Sequence, residues 1–135
     1  MSGAVLAVDP GSRRVGIAIS DPSRKFAIPL TVLGAGESLA DDIAEIVAER
    51  AVTEIVVGLP IRLDGGEGPS SKGARRLAKE LEGRLGLPVT LVDERLSTVE
   101  ADRALSATGR DTRRRRASID RSAAAVILQT FLDSR

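Results

Sequence analysis

Five short apolar runs, set among stretches of helical period, constrain this chain more than any other feature. Ala4-Val5-Leu6-Ala7-Val8-Asp9 is too short for a helix and too apolar for a loop, so it reads as a buried strand. Pro10-Gly11-Ser12 turns the chain, and Val15 to Ser20 returns as a second strand, giving a hairpin. After Asp21-Pro22-Ser23, Ala27 to Leu33 supplies a third strand. Pro29 puts it at a sheet edge, because proline has no N–H to donate to a ladder.

Then the period changes. Ser38 caps a helix from Leu39 to Arg50, with Leu39, Ile43, Ile46 and Val47 on one face. Glu54 to Gly58 is a fourth strand. A loop from Leu59 to Pro69 follows, punctuated by Gly65, Gly66, Gly68 and Pro69; a loop of that length in a small domain is usually a functional one. Ser70 or Ser71 starts a second helix, with Leu77, Leu81 and Leu85 inward, ending at Gly86. Pro88 to Asp93 is a fifth strand. Ser97 begins a third helix that ends near Gly109, and Ser118 caps a last one with Ala124, Ile127, Leu128 and Phe131 on one face. The hairpin-rich start followed by alternation predicts an α/β fold: a five-stranded mixed sheet, its first three strands antiparallel, with about four helices on both faces. At 135 residues, with no linker or repeat, residues 1–135 read as one domain.

Composition narrows the chemistry. The chain has no Cys and no His, which excludes thiolate or imidazole zinc sites, disulfides and a Ser-His-Asp triad. Two Phe and no Trp or Tyr argue against modules that stack bases on exposed rings. Catalysis is left to carboxylates, hydroxyls, Lys, Arg or a bound ion. Net charge is only +1, yet Arg110, Arg113, Arg114, Arg115, Arg116 and Arg121 crowd a short segment against Asp111 and Asp120. Nothing approaches the roughly 20 apolar residues of a membrane span, and Met1-Ser2-Gly3 does not open a signal peptide. A cytoplasmic protein with no membrane partner is expected.

Three acids stand where apolar elements end or begin: Asp9, Glu94 and Asp120. Together they could hold a divalent cation, since hard cations take oxygen ligands. Each also has a plain account. Asp9 and Ser12 could make only turn hydrogen bonds. Asp93 and Glu94 point to opposite faces while the strand continues, so one serves a site and the other caps or pairs with Arg95. Asp120 could merely compensate a helix dipole. Gly58, Pro60, Asp64, Gly65 and Gly68 form a backbone-rich loop suited to a phosphodiester chain or to simple connection. The Gly-Lys-Ser/Thr ending of a Walker loop is absent.

In order, Val8-Asp9-Pro10-Gly11-Ser12-Arg13-Arg14-Val15-Gly16-Ile17-Ala18, Val57-Gly58-Leu59-Pro60 with Leu63-Asp64-Gly65 and Gly68-Pro69, Val92-Asp93-Glu94-Arg95-Leu96-Ser97-Thr98-Val99-Glu100-Ala101, and Ile119-Asp120 with Ala123-Ala124 and Ile127-Leu128-Gln129 resemble the YqgF/RuvX family. That family is described as Holliday-junction-resolvase-like and as nucleases maturing the precursor of 16S rRNA. The resemblance implies an RNase H-like fold and metal-assisted phosphodiester hydrolysis with Mg²⁺ or Mn²⁺. It puts the family's acids on Asp9, Glu94 and Asp120. It implies nucleic-acid contacts at Gly11, Arg13, Arg14, Arg95, Arg110, Arg113, Arg114, Arg115 and Arg116, on structured RNA or branched DNA. A junction resolvase cuts two strands symmetrically, so that role would bring a homodimer.

Two departures follow. Related enzymes present four acids, whereas the helical neighbours of Asp120 are Arg116, Ala117, Ala123 and Ala124, leaving Asp93 or Glu100 to supply a fourth. The thin acid set also leaves weak activity, or a non-catalytic binding module on the same fold, as readings. Glu94 follows the fifth strand, one strand further from Asp9 than in a typical RNase H sheet, so reach across the sheet is an open question. An actin-like ATPase also has an Asp-x-Gly loop after its first strand, but 135 residues are too few for its two-domain clamp.

Overall fold

The computed structural model describes residues 3–60, 65–94 and 123–134. Their order is β1 (Ala4–Asp9), β2 (Arg14–Ser20), β3 (Ala27–Gly34), α1 (Leu39–Glu49), β4 (Val52–Leu59), α2 (Pro69–Leu85), β5 (Val89–Asp93) and α3 (Ala123–Asp133). The strands form one sheet in the order β3-β2-β1-β4-β5. β1, β2 and β3 pair antiparallel, while β4 and β5 join in parallel beside β1. The expected five-stranded mixed sheet is therefore present, with β3 and its Pro29 at an edge. The helices expected over 97–109 and at the start of the last helix fall outside the described residues.

Strand alternation sorts the apolar residues onto two faces. Leu6, Val8, Val15, Ile17, Ile55 and Val57 pack against Leu39, Ile43, Ala74, Ala78 and Leu81 of α1 and α2. Val5, Ala7, Ala18 and Val56 face the other way, against Ala124, Ile127, Leu128, Phe131 and Leu132 of α3. Asp9 continues the parity of Val5 and Ala7, so it stands on the α3 face.

Some local expectations change. Ser38 occupies the N-cap of α1 but makes no capping hydrogen bond; its hydroxyl turns to Asp42 at 3.4 Å. Helix α2 starts at Pro69 rather than at Ser70 or Ser71, with Gly68 as N-cap, because proline suits the first helical turn, where its missing N–H costs nothing. Ser71 is instead buried and donates to the Pro60 carbonyl. That bond ties the end of β4 to the start of α2. Helix α2 ends where expected, at Gly86 with φ 67°, whose N–H caps the Glu82 carbonyl.

The far end of the sheet is stapled by polar groups. A register shift between Ala4 and Val5 takes the Val5 N–H out of the β1–β4 ladder, and the buried Ser20 hydroxyl accepts it at 2.8 Å. Arg24 bonds the Gly3 carbonyl, Glu54 and Thr53 at 2.8–2.9 Å. Glu54 is only 6% exposed, so this guanidinium neutralises a nearly buried carboxylate. Polar cost is thus met at the end of the sheet opposite Asp9. No described helix is long and apolar enough to cross a membrane.

Candidate active site

Asp9 stands between two glycines. It pairs with Gly16 of β2 on one side. On the other, the Val8↔Val57 pairing puts Gly58 of β4 level with it. The sheet around the carboxylate is therefore bare backbone. Helix α3 settles onto this bare patch: a side chain at Gly16 would meet Ala124 Cβ at 3.5 Å and Asp9 Cβ at 3.7 Å.

The question of reach is answered at Gly58. A Cβ there would lie 2.7 Å from Glu94 Oε1, 3.2 Å from Glu94 Cγ and 2.7 Å from Ile127 Cδ1. The Glu94 side chain runs from the end of β5 across β4, through the space a side chain at position 58 would fill, and shares a hydrogen bond with Asp9. Gly58, expected at the end of the fourth strand and beside the site loop, lies within β4 and forms the floor of the site. Its signal in the sequence was a glycine closing the β-branched run Ile55-Val56-Val57, which marks close approach by another group. Gly16, within the matching stretch but not singled out, carries the same signal.

Glu94 and not Asp93 meets Asp9. Val92 packs with the α3 cluster, so Asp93 points to the α1–α2 side and Glu94 turns back to the α3 side. Burial raises the Glu94 carboxyl first; the hydrogen bond to Asp9, the charge of Asp9 and that of Asp93 add to it, bringing its pKa to about 8. Near neutral pH Glu94 thus keeps its proton beside Asp9. A divalent cation relieves the same repulsion, and the all-oxygen donors suit a hard ion. Among the described residues no group of three acids comes together. Asp120 and Glu100 lie outside the described residues.

Beside Asp9 a cleft of about 730 Å³ opens on the α3 face, lined by Arg14, Gly16, Val32, Pro29 and Ala123 to Ala125 among others. Arg14 and Arg13 are both exposed, as is Gly11 in the turn between β1 and β2. Gly65 and Gly68 flank Glu67, which takes a two-pronged bond from Arg75 of α2 at 2.7 Å and 2.7 Å. Those bonds hold the Glu67 carboxyl below its usual range. This end of the loop is therefore moored to α2. Asp64, Arg95, Arg110, Arg113, Arg114, Arg115 and Arg116 lie outside the described residues.

A parallel–antiparallel sheet of this order, with a carboxylate pair at the carboxyl ends of its strands, has the RNase H-like fold. RuvC of Thermus thermophilus in complex with a Holliday junction substrate superposes with a TM-score of 0.64 over 98% of this chain and 95% of that one, at 13% identity. The Fowlpox virus resolvase bound to Holliday junction DNA gives 0.50 over 97% of each chain, at 10% identity. At such identities the likeness concerns the fold alone. The sequence is more specific: the RuvX family, described as Holliday junction resolvase, matches residues 3–134, and the chain belongs to it. A relative from Anaeromyxobacter dehalogenans is 47% identical over 96% of both chains and carries the name "Putative pre-16S rRNA nuclease". One of the same name from Chloroflexus aurantiacus is 41% identical over 97% of this chain and 87% of its own.

Proposed function

We propose that this chain is a divalent-metal-dependent nuclease that hydrolyses phosphodiester bonds in structured RNA, with the precursor of 16S rRNA as its substrate. The observation that carries the reading is the Asp9–Glu94 pair, drawn together across β4 through the space left by Gly58. A site that holds two carboxylates this close has its affinity for cations built in. Asp9 and Glu94 would hold Mg²⁺ or Mn²⁺, with Asp120, the third family acid, completing the set. When bound, the ion supplies an activated water and stabilises the leaving oxygen.

The chain's own groups do the rest. Glu94 would hold the ion as a carboxylate, so its proton would be lost on metal binding. Arg14, at the rim of the cleft beside Asp9, and the exposed Arg13 hold flanking phosphates by charge, so binding should weaken with salt. Arg95 and the Arg110–Arg116 segment add to the basic surface. Support for the rRNA substrate comes from the names of the relatives; the family description favours a second reading, cleavage of junction DNA.

The test sets a pre-16S rRNA 5′ leader against a four-way DNA junction, with Mg²⁺ or Mn²⁺ and with a chelator. Metal-dependent cleavage of the leader, lost in Asp9→Asn, is expected. Cleavage of the junction alone would transfer the reading to resolution. Cleavage of neither would leave a binding module.

A further inference from the structure

We propose that the cleft beside Asp9 seats one unpaired nucleotide of the strand being cut, its base resting on Val32. The ligand's identity rests on the nuclease reading; its unpaired conformation rests on the cleft.

Asp9, Gly16 and Val32 form one row across three strands, through the pairs Asp9↔Gly16 and Gly16↔Val32. At about 4.8 Å per strand, Val32 stands about 10 Å from Asp9, within a nucleotide's reach of a phosphate at the acid pair. The row runs from a carboxylate, over no side chain at all, to a valine left 55% exposed. Ala123 to Ala125 wall it with nothing larger than a methyl group; Ala124 covers Gly16, and Val32 is the apolar surface left open. Arg14, paired with Gly34 on the next row of the same face, supplies a cation for the following phosphate.

The size and chemistry of the cleft select the occupant. About 730 Å³ lies within the range of small-molecule pockets, and holds a nucleotide rather than a helix. A duplex turns its bases inward and offers such a cleft only its backbone, whereas a single strand can splay a base onto an apolar surface. Among the described lining residues, side-chain polarity is limited to Asp9, Arg14 and Thr31. Base-edge readout needs more donors and acceptors than that. The cleft therefore reads the unpaired state of a nucleotide and is largely indifferent to which base it is.

Affinity measurements on the metal-free protein, with chelator present to prevent cleavage, test this. The probes are a short single-stranded RNA and a blunt duplex of the same sequence, followed by fluorescence anisotropy. Val32→Phe should tighten the single strand by about fivefold or more, the gain of an aromatic stacking surface. Val32→Ser should weaken it by about threefold, the loss of roughly one apolar contact. Duplex affinity should stay within about twofold of wild type in both. Single-strand affinities unchanged by both variants, duplex affinities moving in parallel, or no measurable single-strand binding would each overturn the proposal. Cleavage by wild type is scored separately: its absence would sink the nuclease reading, while the binding series still judges the cleft.

Discussion

Glu94 reaches Asp9 only because residue 58 is glycine: its Oε1 lies 2.7 Å from where a Cβ on Gly58 would stand. An acid on β5 is two strands away from one on β1, with β4 between them. A side chain on β4 at that level would block the crossing. The missing Cβ is what turns two separate strand-end carboxylates into a pair.

Gly58→Ala is therefore expected to break the pair before it breaks the fold. The new methyl group must displace both Glu94 and Ile127 Cδ1. A stability loss of about 1–3 kcal/mol, typical of overpacking, should appear in urea denaturation. Metal-dependent cleavage should fall by at least about tenfold, the loss expected when one group of a site is misplaced. Activity equal to wild type would mean that Glu94 is not needed across β4.

The Glu94 proton predicts how stability varies with pH. Its pKa rises from 4.5 to about 8 on folding, so between those values the folded chain holds a proton that the unfolded chain has released. Where the folded state binds more protons, stability falls as pH rises. Metal-free wild type should lose stability steadily from pH 4.5 to about 8 on this account. Glu94→Gln should flatten that slope and be the more stable chain at the alkaline end. Asp21 does not disturb the window. Hydrogen bonds from Ser23 and Phe26 lower its pKa from 3.8 to about 2, so its support is present above pH 3.8 and fades only below it. Denaturation midpoints across the range, in chelator, check the prediction.

Adding Mn²⁺ should reverse the pH trend. A cation that replaces the Glu94 proton stabilises the folded chain more as pH rises, because less proton competes. Thermal denaturation with and without Mn²⁺ should show a shift that grows toward about pH 8 and is absent in Asp9→Asn. An equal shift in that variant would place the ion elsewhere.

The Arg24–Glu54 pair should matter to stability and not to cleavage. Arg24→Met leaves the nearly buried Glu54 without this guanidinium, a change that costs about 3–5 kcal/mol for a fully buried pair and less here, because Arg24 is 25% exposed. The pair lies at the opposite end of the sheet from Asp9, so cleavage per folded molecule should stay within about twofold of wild type. A larger loss would couple the two ends of the sheet.

Gln129 predicts how firmly α3 is seated. Its side-chain amide accepts from the Ala27 N–H at 2.9 Å and donates to the Lys25 carbonyl at 3.0 Å, docking the helix onto the start of β3. Gln129→Ala should cost about 1–3 kcal/mol, the price of two bonds around a partly buried backbone. Hydrogen exchange at Ala27 should quicken with it. Unchanged exchange would mean that the helix holds its place by packing alone.

Much of the fold was legible because strand and helix periods differ. Val5 to Val8, Val15 to Ile19 and Ile55 to Val57 could be placed as strands from their runs alone, and Pro29 marked its strand as an edge. Helix ends were less legible. Ser38 and Ser71 have the chemistry of caps, yet one turns to Asp42 and the other to Pro60, because a hydroxyl takes whichever partner packing brings near. At the site, Asp9 and Glu94 could be nominated from position, but Asp93 and Glu94 remained alternatives until strand parity was counted from a known core face.

The sequence by itself determined the order of the described elements, the two apolar faces and the carboxylates that end the strands, since these follow from local period and from the cost of burying charge. Tertiary structure alone decided that Glu94 meets Asp9. That contact depends on β4 inserting in parallel between β1 and β5, with a glycine at the level of the crossing. Neither condition is local. Each joins residues far apart in the chain, and so does the Asp9–Glu94 pair that results.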